Sequence, residues 1–220
     1  MFHDRTDAAR QLAEKLKGRQ LHNPLVLAIP RGGVVTGAVL ARELGADLDV
    51  VLARKLRAPD QPELAVGAVS EAGEIYLNHH AKEVPGMSEE YLAEEQRRQL
   101  AEIARRKELF RAVKPQEPIE GRSVLVTDDG IATGSTMIAA LQMVKAQRPY
   151  ESIVAVPVAS PDRLETVRQW CDDAVCLLAP KYFWAIGQFY EDFKQVEDEE
   201  AVEILRTFAH AAPANPAIGR

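Results

Sequence analysis

The sequence predicts an α/β protein, a parallel sheet flanked by helices. Short apolar runs bounded by glycine or proline alternate with helix-length segments along the chain. The first such alternation, Leu25 to Ala53, reads strand, turn, helix, strand, the unit from which parallel sheets are built. A later apolar run ends in two acids and a turn of small hydroxyl residues that opens into another helix.

The elements follow in order. Thr6 or Asp7 is placed to cap a first helix through Ala8, Leu12 and Leu16 to Gly18. Leu25 to Ile29 is a buried strand ending in Pro30-Arg31-Gly32-Gly33. A helix then runs through Val35, Val39, Leu40 and Leu44 and stops at Gly45. Leu48 to Ala53 is a second strand and Glu63 to Val69 a third; Glu71-Ala72-Gly73 turns the chain into Ile75-Tyr76-Leu77. Ser88 to about Val113 is a charged helix with a sparse stripe of Leu92, Leu100, Ile103 and Phe110. Its Glu89 and Glu90 suit the N-terminal dipole end and Arg105, Arg106 and Lys107 the other. A solvated helix packed on one face explains the thin stripe better than an arm covering a site. Ser123 to Thr127 and Ser152 to Val158 are strands, separated by a helix from Thr136 to Lys145. Ser160-Pro161 opens a further helix, and Ala174 to Leu178 is the last strand. Tyr182-Phe183-Trp184, Phe189-Tyr190 and Phe193 follow, then a helix from about Asp198 to His210 and a loose tail.

Composition narrows the function class. The 220 residues, 46% of them hydrophobic, suffice for one domain with a full core. A balance of 33 acids against 27 bases gives a net charge of −6. That argues against a nucleic-acid partner met through a broad basic face, yet permits a small basic pocket. No apolar run approaches the roughly 20 residues needed to span a bilayer, and the start, Met1-Phe2-His3-Asp4-Arg5, has no secretory apolar core. A cytoplasmic protein without membrane contact is expected. Cys171 and Cys176 build no disulfide framework. His79 and His80 point to opposite faces of an extended chain and are assigned no metal. The acidic run Glu197 to Glu200 reads as a solvated helix start.

The chemistry is concentrated in residues 124 to 136. A buried strand delivers Asp128 and Asp129 to its C-terminal end, where open α/β sheets hold their ligands. Gly130, Ile131, Ala132, Thr133, Gly134, Ser135 and Thr136 then lead into a helix, whose N-terminal N–H groups form an anion cradle. Carboxylates for hydroxyls or a metal thus lie beside a seat for phosphate. A plain acidic turn explains one acid and one glycine, but not two acids with Thr-Gly-Ser-Thr at the helix start.

This segment resembles the motif for 5-phosphoribosyl-1-pyrophosphate (PRPP) of type I phosphoribosyltransferases: apolar strand, two acids, small residues, then Thr-Gly-x-Thr. The resemblance implies a Rossmann-like sheet with a small C-terminal hood and a helical insertion. It divides a single domain over residues 1–210 into a core at about 20–180, an insertion at about 80–115 and a hood at about 179–196, with a flexible tail at 211–220. It implies that Asp128 and Asp129 hold the ribose hydroxyls and, through water and PRPP, Mg²⁺. Residues 132 to 136 would wrap the 5-phosphate, with Gly130 and Ile131 joining them as PRPP contacts. Ala28 to Gly33 looks like the family's pyrophosphate loop, with Gly32 and Gly33 admitting the ligand, Arg31 adding charge, and a cis peptide at Arg31–Gly32; an ordinary strand-to-helix turn fits that stretch alone equally well. Arg54 and Lys55 are further pyrophosphate cations, or solvated surface charges. Residues 56 to 66, with Arg57, Pro59, Asp60 and Pro62, would be a flexible catalytic loop.

The implied enzyme transfers phosphoribosyl to a nitrogenous base or related amine and releases pyrophosphate, with catalysis by orientation and charge neutralisation. Ala132 stands where hypoxanthine-guanine enzymes carry an acid, so the acceptor is left open. Lys181, Phe183 and Trp184 are acceptor candidates, although aromatics after a last strand more often pack as core. The competing expectation is a regulatory protein that binds PRPP or a nucleotide as a signal. PRPP and a small acceptor are the expected partners, with a homo-oligomer left open.

Overall fold

The computed structural model describes residues 1–77 and 81–209; the expectations for His79, His80 and the tail at 211–220 lie outside them. In chain order the elements are α1 (Arg5–Leu16), β1 (Leu25–Ala28), α2 (Gly32–Leu44), β2 (Asp47–Val50), β3 (Ala53–Ala58), β4 (Gln61–Ser70), β5 (Ile75–Leu77), α3 (Glu89–Arg111), β6 (Ser123–Thr127), α4 (Ser135–Ala146), β7 (Glu151–Val158), α5 (Pro161–Arg168), β8 (Asp173–Leu178) and α6 (Asp198–Ala209). Five strands form a parallel sheet in the order β2-β1-β6-β7-β8, and β3-β4-β5 form a separate antiparallel sheet. The α/β class with helices flanking a parallel sheet is what the alternating pattern predicts.

Because both faces of a parallel sheet are covered, its strands are apolar throughout rather than alternating. Val26, Ala28 and Leu125 face one core with Leu12, Leu40 and Leu205 of α1, α2 and α6. Leu25, Leu27, Val124 and Val126 face the other with Leu141 and Val144 of α4 and Val167 of α5. Gly45 closes α2 in the left-handed region at φ 62°, as expected of a terminal glycine.

Several boundaries differ from the sequence reading. Asp4, not Thr6 or Asp7, caps α1, its carboxylate accepting from the Asp7 N–H at 2.8 Å. The predicted strand Leu48–Ala53 divides in two. Val51 makes its last rung to the Ala28 carbonyl (3.0 Å), beyond which β1 turns away at Pro30. The chain then enters the antiparallel sheet at Ala53. The segment expected as a flexible loop, 56 to 66, lies almost wholly in the β3–β4 hairpin, with Leu56 and Ala58 buried.

The long helix α3 is more than a solvated rod. Ile103 and Phe110 are buried as the stripe suggests, but Glu95 and Gln99 are buried with them, at 1% and 2% exposure. The apolar stripe is thin because polar side chains complete it. Gln99 donates to the Glu95 carboxylate at 2.9 Å, which also accepts from the Arg57 N–H at 3.2 Å on β3. At the C-terminal end Arg111 bridges two carboxylates, Asp49 on β2 and Glu71 after β4, at 2.6 Å each. Among the described residues no helix is long and apolar enough to cross a membrane.

Arg111 fastens α3 to both sheets, so Arg111→Ala is expected to cost about 3–5 kcal/mol, the usual result of stranding a buried carboxylate. Urea unfolding monitored by circular dichroism measures this. Adding Asp49→Asn should recover part of the loss, because no full charge is then left unpaired on β2.

Candidate functional site

The strand order places β1 between β2 and β6, so the chain diverges to opposite sides after these two neighbouring strands. Crevices at such switch points are where open α/β sheets bind ligands. The turn after β1 and the acidic turn after β6 meet here at backbone contact. A Cβ on Gly32 would stand 2.0 Å from Asp129 Oδ2, and one on Gly33 would stand 2.9 Å from the Asp128 Cα. Both glycines are therefore fixed by the approach of the two loops. The cis peptide lies at Pro30–Arg31, one bond earlier than expected.

The two aspartates occupy different environments. Asp128 is half-buried and forms part of the wall of a cavity of about 170 Å³ with Gly130 to Gly134, Thr136 and Ile186. Burial pushes its carboxyl well up from the usual range, and the neighbouring Asp129 charge adds to the shift. Asp129 is buried and turned to the other side, where its Oδ2 accepts from Arg5 Nε at 2.8 Å. Burial raises its pKa too, opposed by that hydrogen bond and the Arg5 charge. The guanidinium is itself held, donating to the Lys194 carbonyl at 2.7 Å and lying 3.9 Å above the Phe193 ring. Tyr190 donates to the Asp129 carbonyl at 2.6 Å. Arg5 is the principal residue that the sequence reading misses. It lies 124 positions from its partner, and no local pattern marks it.

The loop from Gly130 to Thr136 is an open cradle at the start of α4. Gly134 adopts the left-handed conformation at φ 80° and occupies the N-cap position without a side-chain cap. Among the described residues, the N–H groups of Ala132, Thr133, Gly134, Ser135 and Thr136 donate to no other protein group. Ile131 is the exception, tied to the Val158 carbonyl at 2.8 Å. Ala132, Thr133 and Thr136 are exposed and Ser135 half-buried, so the hydroxyls remain accessible.

Next to this cradle, and sharing Thr136 with it, is a second cavity of about 110 Å³. Pro30 forms one side and Arg54, Lys55 and Arg57 of β3 another, so the two cations expected beside pyrophosphate do line a pocket. Arg31 does not. It pairs with Glu197 at 3.3 Å and approaches Asp198 at 3.9 Å. Asp198 is buried and also accepts from Arg105 at 3.1 Å, so the acidic start of α6 is not simply solvated.

The acceptor candidates lie outside both cavities. Trp184 is 88% exposed, Lys181 is exposed, and Phe183 packs on Phe189 with centroids 5.2 Å apart. Tyr190 and Phe193 stack at 4.9 Å, and Phe2 joins them at 5.3 Å from Tyr190, so much of the aromatic stretch is core. From this segment Ile186 reaches the cradle, in contact with the Gly130 backbone.

The phosphoribosyl transferase domain model matches residues 2–194. Two Mycobacterium tuberculosis proteins whose names give them provisionally as phosphoribosyl transferases, Rv0571c of strain H37Rv and MT0597 of strain CDC 1551, are each 39% identical over 221 aligned residues, covering 99% of this chain. The chain spans about half the length of these curated relatives, 50% of each. The crystal structure of TT1426 from Thermus thermophilus superposes with a TM-score of 0.91 at 44% identity, covering 94% of this chain and 99% of that one.

Removal of Arg5 leaves the Asp129 carboxylate buried and unpaired, so Arg5→Ala is expected to lose about 3–5 kcal/mol of stability at neutral pH. Asp129→Asn in that background should recover much of it. A carboxyl whose folded pKa is raised penalises the folded state while ionised, and the penalty fades as protons bind. The Arg5→Ala deficit should therefore shrink between about pH 7 and pH 5, as urea unfolding at the two pH values would record.

Proposed function

The chain belongs to the phosphoribosyl transferase family, and from that premise we propose that it transfers the 5-phosphoribosyl group of PRPP to a nitrogenous base or related amine. The observation that carries this reading is the run of uncommitted N–H groups from Ala132 to Thr136, set between the Asp128 carboxylate and a cavity lined by cations. Such N–H groups at a helix start suit the 5-phosphate, Asp128 suits the ribose hydroxyls, and Arg54 and Lys55 suit pyrophosphate. Asp129 acts on the ribose through the position it gives its neighbour, because its own carboxylate is engaged by Arg5.

In the proposed reaction the acceptor nitrogen bonds to ribose C1 as the C1–oxygen bond to pyrophosphate breaks; the bonding electrons leave with pyrophosphate and the acceptor gives up a proton. The chain's part is to orient the two reactants and to neutralise charge developing on the leaving group. Among the described residues no three His, Cys, Asp or Glu gather as a metal cage. One cavity-facing carboxylate, Asp128, suits Mg²⁺ carried largely by ligand oxygens and water. When bound, Mg²⁺ would supply positive charge at the pyrophosphate oxygens.

Two measurements test the proposal. A pyrophosphate-release screen over purines, pyrimidines and small amines with PRPP should give release with one acceptor class. Silence across the panel, with PRPP and Mg²⁺ still raising the melting temperature, would favour the signal-binding alternative. Asp128→Asn should abolish that ligand-induced rise, which for a ligand at about 100 times its Kd corresponds to about 2.7 kcal/mol. The same substitution should raise the ligand-free melting temperature by about 2 °C or more, the shift that roughly 1 kcal/mol gives in a chain of this size. The sign follows from the raised pKa: at neutral pH the unfolded chain carries Asp128 ionised at no cost, whereas the folded state is penalised for holding that carboxyl, and an amide does not carry the penalty.

A further inference from the structure

We propose that helix α3 supplies part of the seat for the pyrophosphate group of PRPP, Arg106 directly and Gln99 by positioning Arg54. This rests on the phosphoribosyl transfer reading above and adds residues outside the segments that carry the family resemblance.

Gln99, Ile103 and Arg106 follow one another at spacings of four and three, so they share one face of α3 and turn together toward the cavity beside Pro30 and Thr136. Three arginines line that cavity, Arg54, Arg57 and Arg106, and among the described residues no Asp or Glu does. Arg54 donates through Nε to Gln99 Oε1 at 3.2 Å, which orients its fork, and it has no ion pair among the described residues. The Arg57 Nε is buried with no hydrogen-bond partner among the described residues. Arg106 is half-buried and makes no hydrogen bond or ion pair among the described residues. Burial and the fields of Arg54, Arg31 and Arg105 all work against its charge, and only Asp198 favours it. Asp198 lies outside the cavity and is engaged with Arg105 and Arg31.

A chain of net charge −6 has many carboxylates available to neutralise such a cluster. It instead gathers cations around an unfilled space that adjoins the phosphate cradle through Thr136. Repulsion among them is relieved by an anion bearing several charges, and guanidinium forks match phosphate oxygens in pairs. With the 5-phosphate of PRPP in the cradle, its diphosphate would bring the required charge to the adjoining cavity.

The experiment titrates the two halves of PRPP separately. Inorganic pyrophosphate with Mg²⁺, ribose 5-phosphate and PRPP are each measured by calorimetry on the wild type and on Arg106→Ala, Arg106→Lys and Arg97→Ala. Arg97, exposed on α3 away from the cavity, is the control. Arg106→Ala should weaken pyrophosphate binding by about tenfold or more, the effect of losing one charge-assisted pair, and leave ribose 5-phosphate within about twofold. Arg106→Lys should retain part of the affinity, and Arg97→Ala all of it. The ligand-free melting temperature of Arg106→Ala should equal or exceed that of the wild type, since a repelled cation has been removed; a merely structural arginine would lower it. Unchanged pyrophosphate affinity in Arg106→Ala, or equal losses for both halves, overturns the role of α3 while leaving PRPP binding intact. Failure of the wild type to bind PRPP, with pyrophosphate still bound through Arg106, removes the transfer reading and keeps the anion seat. Binding of neither removes both.

Discussion

The site depends on one close approach: the Gly32–Gly33 backbone lies directly against the Asp128–Asp129 pair, with no room for a Cβ at either glycine. The contact exists because β1 and β6 are neighbours in the sheet and their following segments diverge. It brings the start of α2 and the start of α4 to the same crevice. Arg5 secures it from behind, joining the first helix to the acidic turn and, through Phe193 and the Lys194 carbonyl, to the segment after β8. Parts of the chain far apart in sequence therefore converge on one carboxylate. The cost of this arrangement is the burial of two adjacent acids, both with raised pKa values.

Those two acids look equivalent in sequence and are not equivalent in space. Asp129 has a dedicated cation and becomes a structural post. Asp128 has no ion pair among the described residues, accepts the Asp129 N–H at 2.8 Å, and faces the cavity. Its charge is disfavoured by burial and by its neighbour, so a ligand that donates hydroxyl hydrogen bonds or brings a cation relieves an existing cost. The part of the burial cost that no cation offsets therefore lies at the cavity wall.

What is legible in the sequence is local. The alternation of strands and helices, the run from Val124 to Thr136 and the Gly32–Gly33 turn each declare themselves within a dozen residues, because a buried strand, a helix start and a glycine turn are set by near neighbours. Arg5 stays hidden because its role is fixed by Asp129, on a different element. The strand expected from Leu48 to Ala53 ends early because apolar character continues through Val51 and Leu52 after the pairing partner has ended; composition records burial, not which strand lies alongside. The same limitation affects α3. Glu95 and Gln99 are no part of the apolar stripe, yet they are buried where β3 presents a backbone N–H and an arginine to meet them. For the aromatic segment after β8, core packing is the stronger expectation than base stacking, and the Phe2–Tyr190–Phe193 cluster has that packing.

The two adjoining cavities present positive charge by different means. Around the cradle the donors are backbone N–H groups oriented by the turn at Gly134 and the start of α4. In the neighbouring cavity the donors are long side chains carried on β3 and α3, elements fastened to each other by Glu95 and to the parallel sheet by Arg111. Fixed dipoles confer position but only partial charge, whereas guanidinium groups confer full charge and repel one another when nothing lies between them. On the proposed reading, a ligand with one phosphate would use the first alone. On the same reading, a ligand long enough to reach past Thr136 would also relieve the second, and the combined site would discriminate by the spacing of negative charge along the ligand rather than by its total.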